Sequence, residues 1–303
     1  MAKRFISLLL AAFMLIPFSG CGAKEKVTME NTQDSPAADS LVKSVSVDGV
    51  QMDYIQFGTG EKSFVIIPGL SVHSVMGSAA AVADAYSMFA DEYTIYLFDV
   101  PKDLQDGVTV RSIAEDTAKA MSTIGISSAD ILGVSFGGMV SQYIAIDHPE
   151  LVNKLILAST LSKPNAAAIA TMQRWRTMAD EKNEQGLIES FLNDVYSTAT
   201  LNAYRDVLIA ANQGVSDAEF ERLVTLIDAC LNFSCYDELS KIQCPVLVIG
   251  SMGDRVLAPV GSEEIAEAIG CEIYMYDENY GHGVYDEAPD YKQRCLNFLG
   301  EAE

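Results

Sequence analysis

Gly133-Val134-Ser135-Phe136-Gly137-Gly138 constrains this chain more than any other stretch, because it needs a strand, a sharp turn and a helix within a few residues. Residues 129–134 are a short apolar run suited to a buried strand, and residues 138–146 have the length and spacing of a packed helix. Ser135 stands at the apex between them. A Cβ at Gly133 or Gly137 would crowd the packing of strand against helix, so these glycines have a steric reason to be there. At roughly 7% usage per residue, a bare Gly-X-Ser-X-Gly arises by chance on the order of 0.1 times in a chain this long. A glycine-rich turn in a doubly wound sheet shares the same local pattern. The rest of the chain must decide what the serine is.

The surroundings read as alternating strands and helices. Residues 44–47 and 51–55 flank Asp48-Gly49, which predicts a β-hairpin. Strand-like runs follow at 64–67, 94–98, 131–134 and 154–158, with helical stretches at 75–89, 110–123 and 138–146 between them. That order predicts a largely parallel sheet covered on both faces. From residue 164 to 239 no strand pattern occurs. Leu187, Ile188, Phe191, Leu192, Val195 and Tyr196 share one helical face, and Ser216-Asp217-Ala218-Glu219 resembles a capping box opening a helix that carries Phe220, Leu223, Val224 and Ile227. Strand patterns return at 245–249 and 271–276, and a helix is expected over 288–299. The expected fold is α/β: a mostly parallel eight-stranded sheet with helices on both faces and an inserted helical cap. The core occupies 44–163 and 241–303, with the cap at 164–240.

Residues 1–43 read as targeting sequence. Lys3 and Arg4 precede an apolar run over residues 5–18, too short to span a bilayer but matching the h-region of a secretory signal. Pro17-Phe18-Ser19-Gly20-Cys21 resembles the lipobox of bacterial lipoproteins, with Phe18 where an aliphatic residue is usual. The resemblance implies cleavage after residue 20, lipid on Cys21 and a protein held at the outer face of a membrane; an ordinary signal peptide with an incidental cysteine is the alternative. Residues 21–43 are polar and read as a disordered tether.

A formal net charge of −22 argues against nucleic acid as a partner and disfavours anionic substrates. The five cysteines other than Cys21 cannot all pair internally and show no metal-ligand spacing with histidine. No cofactor or metal is expected, and the oligomeric state is left open.

A serine hydroxyl is a weak nucleophile at neutral pH and needs a base, with an acid to orient that base. The chain has three histidines. His148 falls at the far end of the helix that follows Ser135, and His73 lies in a loop after the third strand, where it reads as a structural or lining residue. His282, between Gly281 and Gly283 directly after the last strand, is the expected base. Asp254, after the penultimate strand, is the expected acid; Ser159-Thr160 leave the loop after strand six without a carboxylate, and Asp277 and Asp286 read as loop solvation and a helix start. The N–H of Phe136, at the positive end of the following helix, and that of Leu70 are the expected donors to an oxyanion.

The order Ser135, Asp254, His282 resembles the α/β-hydrolase family over residues 45–299. That resemblance implies Ser135 as nucleophile, His282 as general base and acid, Asp254 as orienting carboxylate, and Leu70 and Phe136 as the oxyanion hole. Two departures stand out: Pro68-Gly69 replaces the family's His-Gly, and Asp99-Val100-Pro101-Lys102-Asp103-Leu104 lacks the glycines of Asp-X-X-Gly-X-Gly. The implied activity is carboxylesterase-like, by acyl transfer to water from a small acyl substrate. Met172, Trp175, Met178 and Phe191 are candidates for an apolar acyl pocket. Alternatives are a peptidase, amidase or carbon–carbon bond hydrolase of the same fold, or a lipid-anchored binding protein that lost turnover. The Gly-Gly-Ser-Trp-Gly form of proline iminopeptidases is absent, which places peptide hydrolysis behind ester hydrolysis.

Overall fold

After a short helix, α1 (Ala38–Leu41), an antiparallel hairpin joins β1 (Val42–Val47) to β2 (Val50–Phe57). Asp48 and Gly49 at its tip have φ of 53° and 86°, the two positive values a type I′ turn requires. The structure, a computed structural model, describes residues 38–105 and 107–300; the expected signal run and Cys21 lie outside the described residues. Among the described residues no helix is long and apolar enough to cross a membrane.

β3 (Lys62–Ile67), α2 (Ala79–Ala85), β4 (Tyr93–Phe98), α3 (Val110–Thr123), β5 (Ala129–Val134), α4 (Phe136–Asp147) and β6 (Val152–Ala158) then alternate. Four helices are inserted before the sheet resumes: α5 (Ala166–Asp180), α6 (Glu184–Val195), α7 (Thr198–Asn212) and α8 (Asp217–Leu231). β7 (Val246–Ser251), α9 (Pro259–Ile269), β8 (Glu272–Tyr276), α10 (Val284–Glu287) and α11 (Tyr291–Gly300) complete the chain. The eight strands lie in the order β1-β2-β4-β3-β5-β6-β7-β8, antiparallel at β1/β2 and β2/β4 and parallel elsewhere. The expected fold class holds.

The period-2 geometry of strands divides the core into two layers. Val65, Ile67, Ile131, Leu155, Leu157 and Val248 face α3, α4 and the inserted helices. Phe64, Ile66, Leu132, Ile156, Leu247 and Ile249 face α2 and α11, where Phe64 stacks on Phe89 with ring centroids 5.1 Å apart. Every residue of β5 and of β7 is buried, as for central parallel strands sandwiched between helices. The inserted helices begin where the sequence supplies caps: Asn165, Asn183, Ser197 and Ser216 each accept a backbone N–H, and Ser216 with Glu219 forms the expected capping box.

Two helices differ from expectation. The stretch 75–89 is not one helix but α2 between two 3₁₀ turns, Val75–Ser78 and Ser87–Phe89, which swing Tyr86 and Phe89 in against Phe64. The closing helix begins at Tyr291, not at 288. Pro289 follows Ala288, whose ψ of 121° is extended, as the steric clash of a proline ring with the residue before it favours.

Candidate active site

Parallel strands end on one edge, so the loops after β5, β7 and β8 converge there. Ser135 follows β5 with φ 53° and ψ −116°, a conformation that costs of order 1–3 kcal/mol in a non-glycine residue. Tertiary bonds hold it. Its N–H donates to the Ala158 carbonyl (2.8 Å), and its carbonyl accepts from Gly138 N–H (2.9 Å), Met139 N–H (3.2 Å) and Thr160 Oγ1 (2.7 Å). The glycines leave the room that the turn needs. A Cβ on Gly137 would lie 1.9 Å from the Ile67 carbonyl oxygen, and one on Gly133 2.3 Å from Ser141 Oγ and 2.6 Å from the Gly137 carbonyl oxygen. Because Ile67 is backbone of a central strand, Gly137→Ala is expected to destabilise the fold by about 3 kcal/mol, read as a lower urea midpoint with an unchanged slope.

Ser135, His282 and Asp254 are brought together as one hydrogen-bonded chain. His282 Nε2 lies 3.0 Å from Ser135 Oγ, and His282 Nδ1 lies 2.8 Å from Asp254 Oδ2. An ionised carboxylate only accepts, so Nδ1 carries the ring proton and Nε2 is free to accept from the serine hydroxyl. All three side chains are buried. Burial by itself would push the Asp254 carboxyl up. The positive charge that His282 carries when protonated and its hydrogen bond, with the N–H groups of Leu257 (2.9 Å) and Val256 (2.8 Å) on Oδ1, outweigh it and hold the carboxyl below its ordinary value. Asp254 therefore stays ionised at neutral pH.

The loop after β6 contributes hydroxyls where a carboxylate is absent. Thr160 bonds the Ser135 carbonyl, as above, and Ser159 Oγ donates to the His282 carbonyl (2.8 Å). From sequence, these two positions show only that no acid stands there. Phe136 is the first residue of α4, one of the positions whose N–H has no partner within its own helix. Together with Leu70 it lines a cavity of about 20 Å³, and Leu70 also lines the cavity over Ser135.

The other candidates lie elsewhere. His148 ends α4 and pairs with Glu115 (2.7 Å). His73 Nδ1 meets Glu219 of α8 (2.7 Å) and its Nε2 meets the Asn212 carbonyl (3.2 Å), joining the loop after β3 to the inserted helices. Asp277 shapes its own turn, with Oδ1 accepting from Asn279 N–H (2.9 Å). Asp286 lies in the single turn of α10, where it accepts from Tyr196 Oη (3.2 Å) and burial holds its carboxyl well above the usual range. Among the described residues Cys230, Cys235, Cys244, Cys271 and Cys295 form no disulfide; burial pushes the thiols of Cys235 and Cys295 up to about 12, which removes thiolate reactivity near pH 7. Among the described residues no cluster of His, Cys, Asp or Glu is arranged to hold a metal ion.

The inserted helices cover the serine. Met172, Trp175, Phe191 and Val195 join Leu70, Val256 and Tyr285 around a cavity of about 10 Å³ beside Ser135 and His282, space for about one water. Met178 packs into the core instead. Gly69, Leu70 and Tyr285 also line a second cavity of about 60 Å³, with Val75, Val134, Asn212 and Ser78 on its wall. Ser78 Oγ is buried and has no hydrogen-bond partner among the described residues. Asp99, in the segment that departs from the Asp-X-X-Gly-X-Gly pattern, accepts from Ser74 Oγ (2.5 Å) and from Arg222 of α8 (2.6 Å), so a core-to-cap ion pair braces this rim.

Known proteins share this arrangement of elements. A Caulobacter sp. (strain K31) protein named as a carbamate hydrolase, RutD, is 24% identical over 86% of this chain and all of its own length. The 3-oxoadipate enol-lactonase 2 of Acinetobacter baylyi is 22% identical over 75% of this chain and 84% of the relative. In fold, the enol-lactonase from Burkholderia xenovorans LB400 superposes with a TM-score of 0.74 at 17% identity, over 86% of this chain and all of the other. The family defined by the alpha/beta hydrolase fold matches residues 63–289. A serine on a strained strand-to-helix turn, a sheet of this order and that match lead to one conclusion: the chain belongs to the α/β hydrolase family.

Proposed function

We propose that the protein is a serine hydrolase that cleaves small, uncharged carboxylic esters through an acyl-enzyme on Ser135. The unbroken chain Ser135 Oγ to His282 Nε2, His282 Nδ1 to Asp254 Oδ2 carries this reading. Ser135 Oγ attacks the ester carbonyl carbon while its proton passes to His282 Nε2. The N–H groups of Leu70 and Phe136 receive the charge that develops on the carbonyl oxygen. Collapse expels the alcohol, which takes the proton from Nε2, and the same imidazole then deprotonates the water that releases the acid. Asp254 remains a carboxylate throughout and stabilises the imidazolium. The apolar, uncharged lining beside Ser135 supports a neutral acyl group, and its narrowness supports a short one. The names of the relatives, an enol-lactonase and a carbamate hydrolase, belong to the same class of acyl chemistry. The address proposed with this activity is the outer face of a membrane, through lipid on Cys21; the mass of the mature N-terminal peptide tests it.

A fluorophosphonate offered to the folded protein lacking residues 1–21 is expected to label Ser135, identified by peptide mass, and 4-nitrophenyl acetate to be turned over faster than the octanoate. Faster turnover of the octanoate would overturn the short-acyl assignment. A folded protein that stays unlabelled would place it with the binding proteins of this fold.

A further inference from the structure

One buried carboxylate next to the histidine loop has no part in the acyl-transfer steps. Glu287, the last residue of α10, is 4% exposed. Its Oε2 accepts the N–H of Gly281 (2.6 Å), the residue before His282, and its Oε1 accepts the N–H of Ser197 (2.8 Å), between α6 and α7. One side chain thus ties the loop carrying the base to the inserted helices. The neighbouring contacts converge on the same five residues of chain. Gly283 N–H donates to the Val195 carbonyl (2.9 Å), and a Cβ on Gly281 would lie 2.4 Å from that same oxygen. From the acid loop, the Arg255 guanidinium reaches the carbonyls of Asn193 (2.6 Å) and Tyr196. Segment 193–197 is therefore bonded to both loops that form the site.

We propose that Glu287 is a positioning residue for His282, holding the imidazole in line with Ser135 by fixing Gly281 against Ser197. This rests on the serine-hydrolase reading above. The role is geometric: a carboxylate that reaches both N–H groups keeps the loop in register, and displacement of about 1 Å at a reacting group can cost 100-fold in rate. Asp at this position keeps the charge but is one methylene too short to reach both donors. Gln keeps the length but turns one acceptor into a donor facing an N–H.

Glu287→Asp and Glu287→Gln, each checked for native thermal unfolding, are both expected to lower kcat for 4-nitrophenyl acetate by ten- to hundredfold with KM within about twofold. Fluorophosphonate labelling should slow by the same factor. A third variant breaks the bridge from the cap side, with Glu287 itself unsubstituted. Ser197 has φ −63° and Tyr196 before it has ψ 151°, so Ser197→Pro suits the local backbone, puts a ring carbon where the N–H met Glu287 Oε1 and so displaces that carboxylate, and removes the hydroxyl that caps α7; its kcat should fall at least threefold. Wild-type kcat in the aspartate variant, or a loss confined to KM, would overturn the proposal. If the wild type neither reacts with the probe nor turns over an ester, the functional reading has failed by itself. The histidine Nδ1–H resonance bonded to Asp254 then decides: exchange broadening in both Glu287 variants supports the positioning role, and an unchanged signal sinks it.

Discussion

Ser135→Ala is expected to lower kcat for ester hydrolysis by about a million-fold and to leave the protein fully folded. The hydroxyl lost is the one 3.0 Å from His282 Nε2, and among the described residues lining the cavity beside it Ser135 is the one serine, threonine or cysteine. His282→Ala is expected to cost about as much, and the double variant no more than either single, because nucleophile and base act as a unit. Steady-state kinetics on 4-nitrophenyl acetate, with active-site titration of the wild type, read both. A double variant whose losses multiplied would show that the two residues work independently. The fold itself should gain slightly in Ser135→Gly, since φ 53° is strained for serine and open to glycine.

Asp254→Asn is expected to lower kcat by about 10⁴-fold. The amide presents a donor as well as an acceptor, so the imidazole is no longer held with its proton on Nδ1, and Nε2 loses its ability to take the proton from Ser135. The same variant separates the carboxylate's part in stability. Asp254 is held below its ordinary pKa, so the stability it contributes is present above the unfolded value near 4 and is lost as pH falls through the lower folded value. Unfolding midpoints measured from pH 6 down to pH 2.5 should fall less steeply for Asp254→Asn than for the wild type. Parallel curves would show that the His282 and backbone contacts do not favour the ionised form.

Much of the site was legible because its chemistry is locally encoded. Gly133 and Gly137 announce a turn with no room for side chains, and the structure puts their missing Cβ atoms onto Ser141 and Ile67. His282 stood out because two other histidines sat where a helix end and a loop explained them. Asp254 followed from strand order, since loops after parallel strands share one edge. The later start of the last helix was also available in sequence, since Pro289 disfavours a helical Ala288. Other parts were not legible. Ser159, Thr160 and Arg255, and Glu287 through Ser197, act on backbone groups far away in the chain, and a polar side chain aimed at a distant carbonyl or N–H leaves no pattern in the sequence around it. The bond between His73 and Glu219 spans 146 positions, and that between Arg222 and Asp99 spans 123.

The sequence by itself determined the alternation of strands and helices, the elbow at Ser135 and the chain order of Ser135, Asp254 and His282, because these depend on sterics and spacing within a few residues. Tertiary structure alone decided how the inserted helices meet the sheet: which side chains close over Ser135, how narrow the cavity is, and that segment 193–197 holds both loops of the site. Those contacts depend on where two distant surfaces come to rest against each other, and packing at that scale is set by the whole folded chain at once.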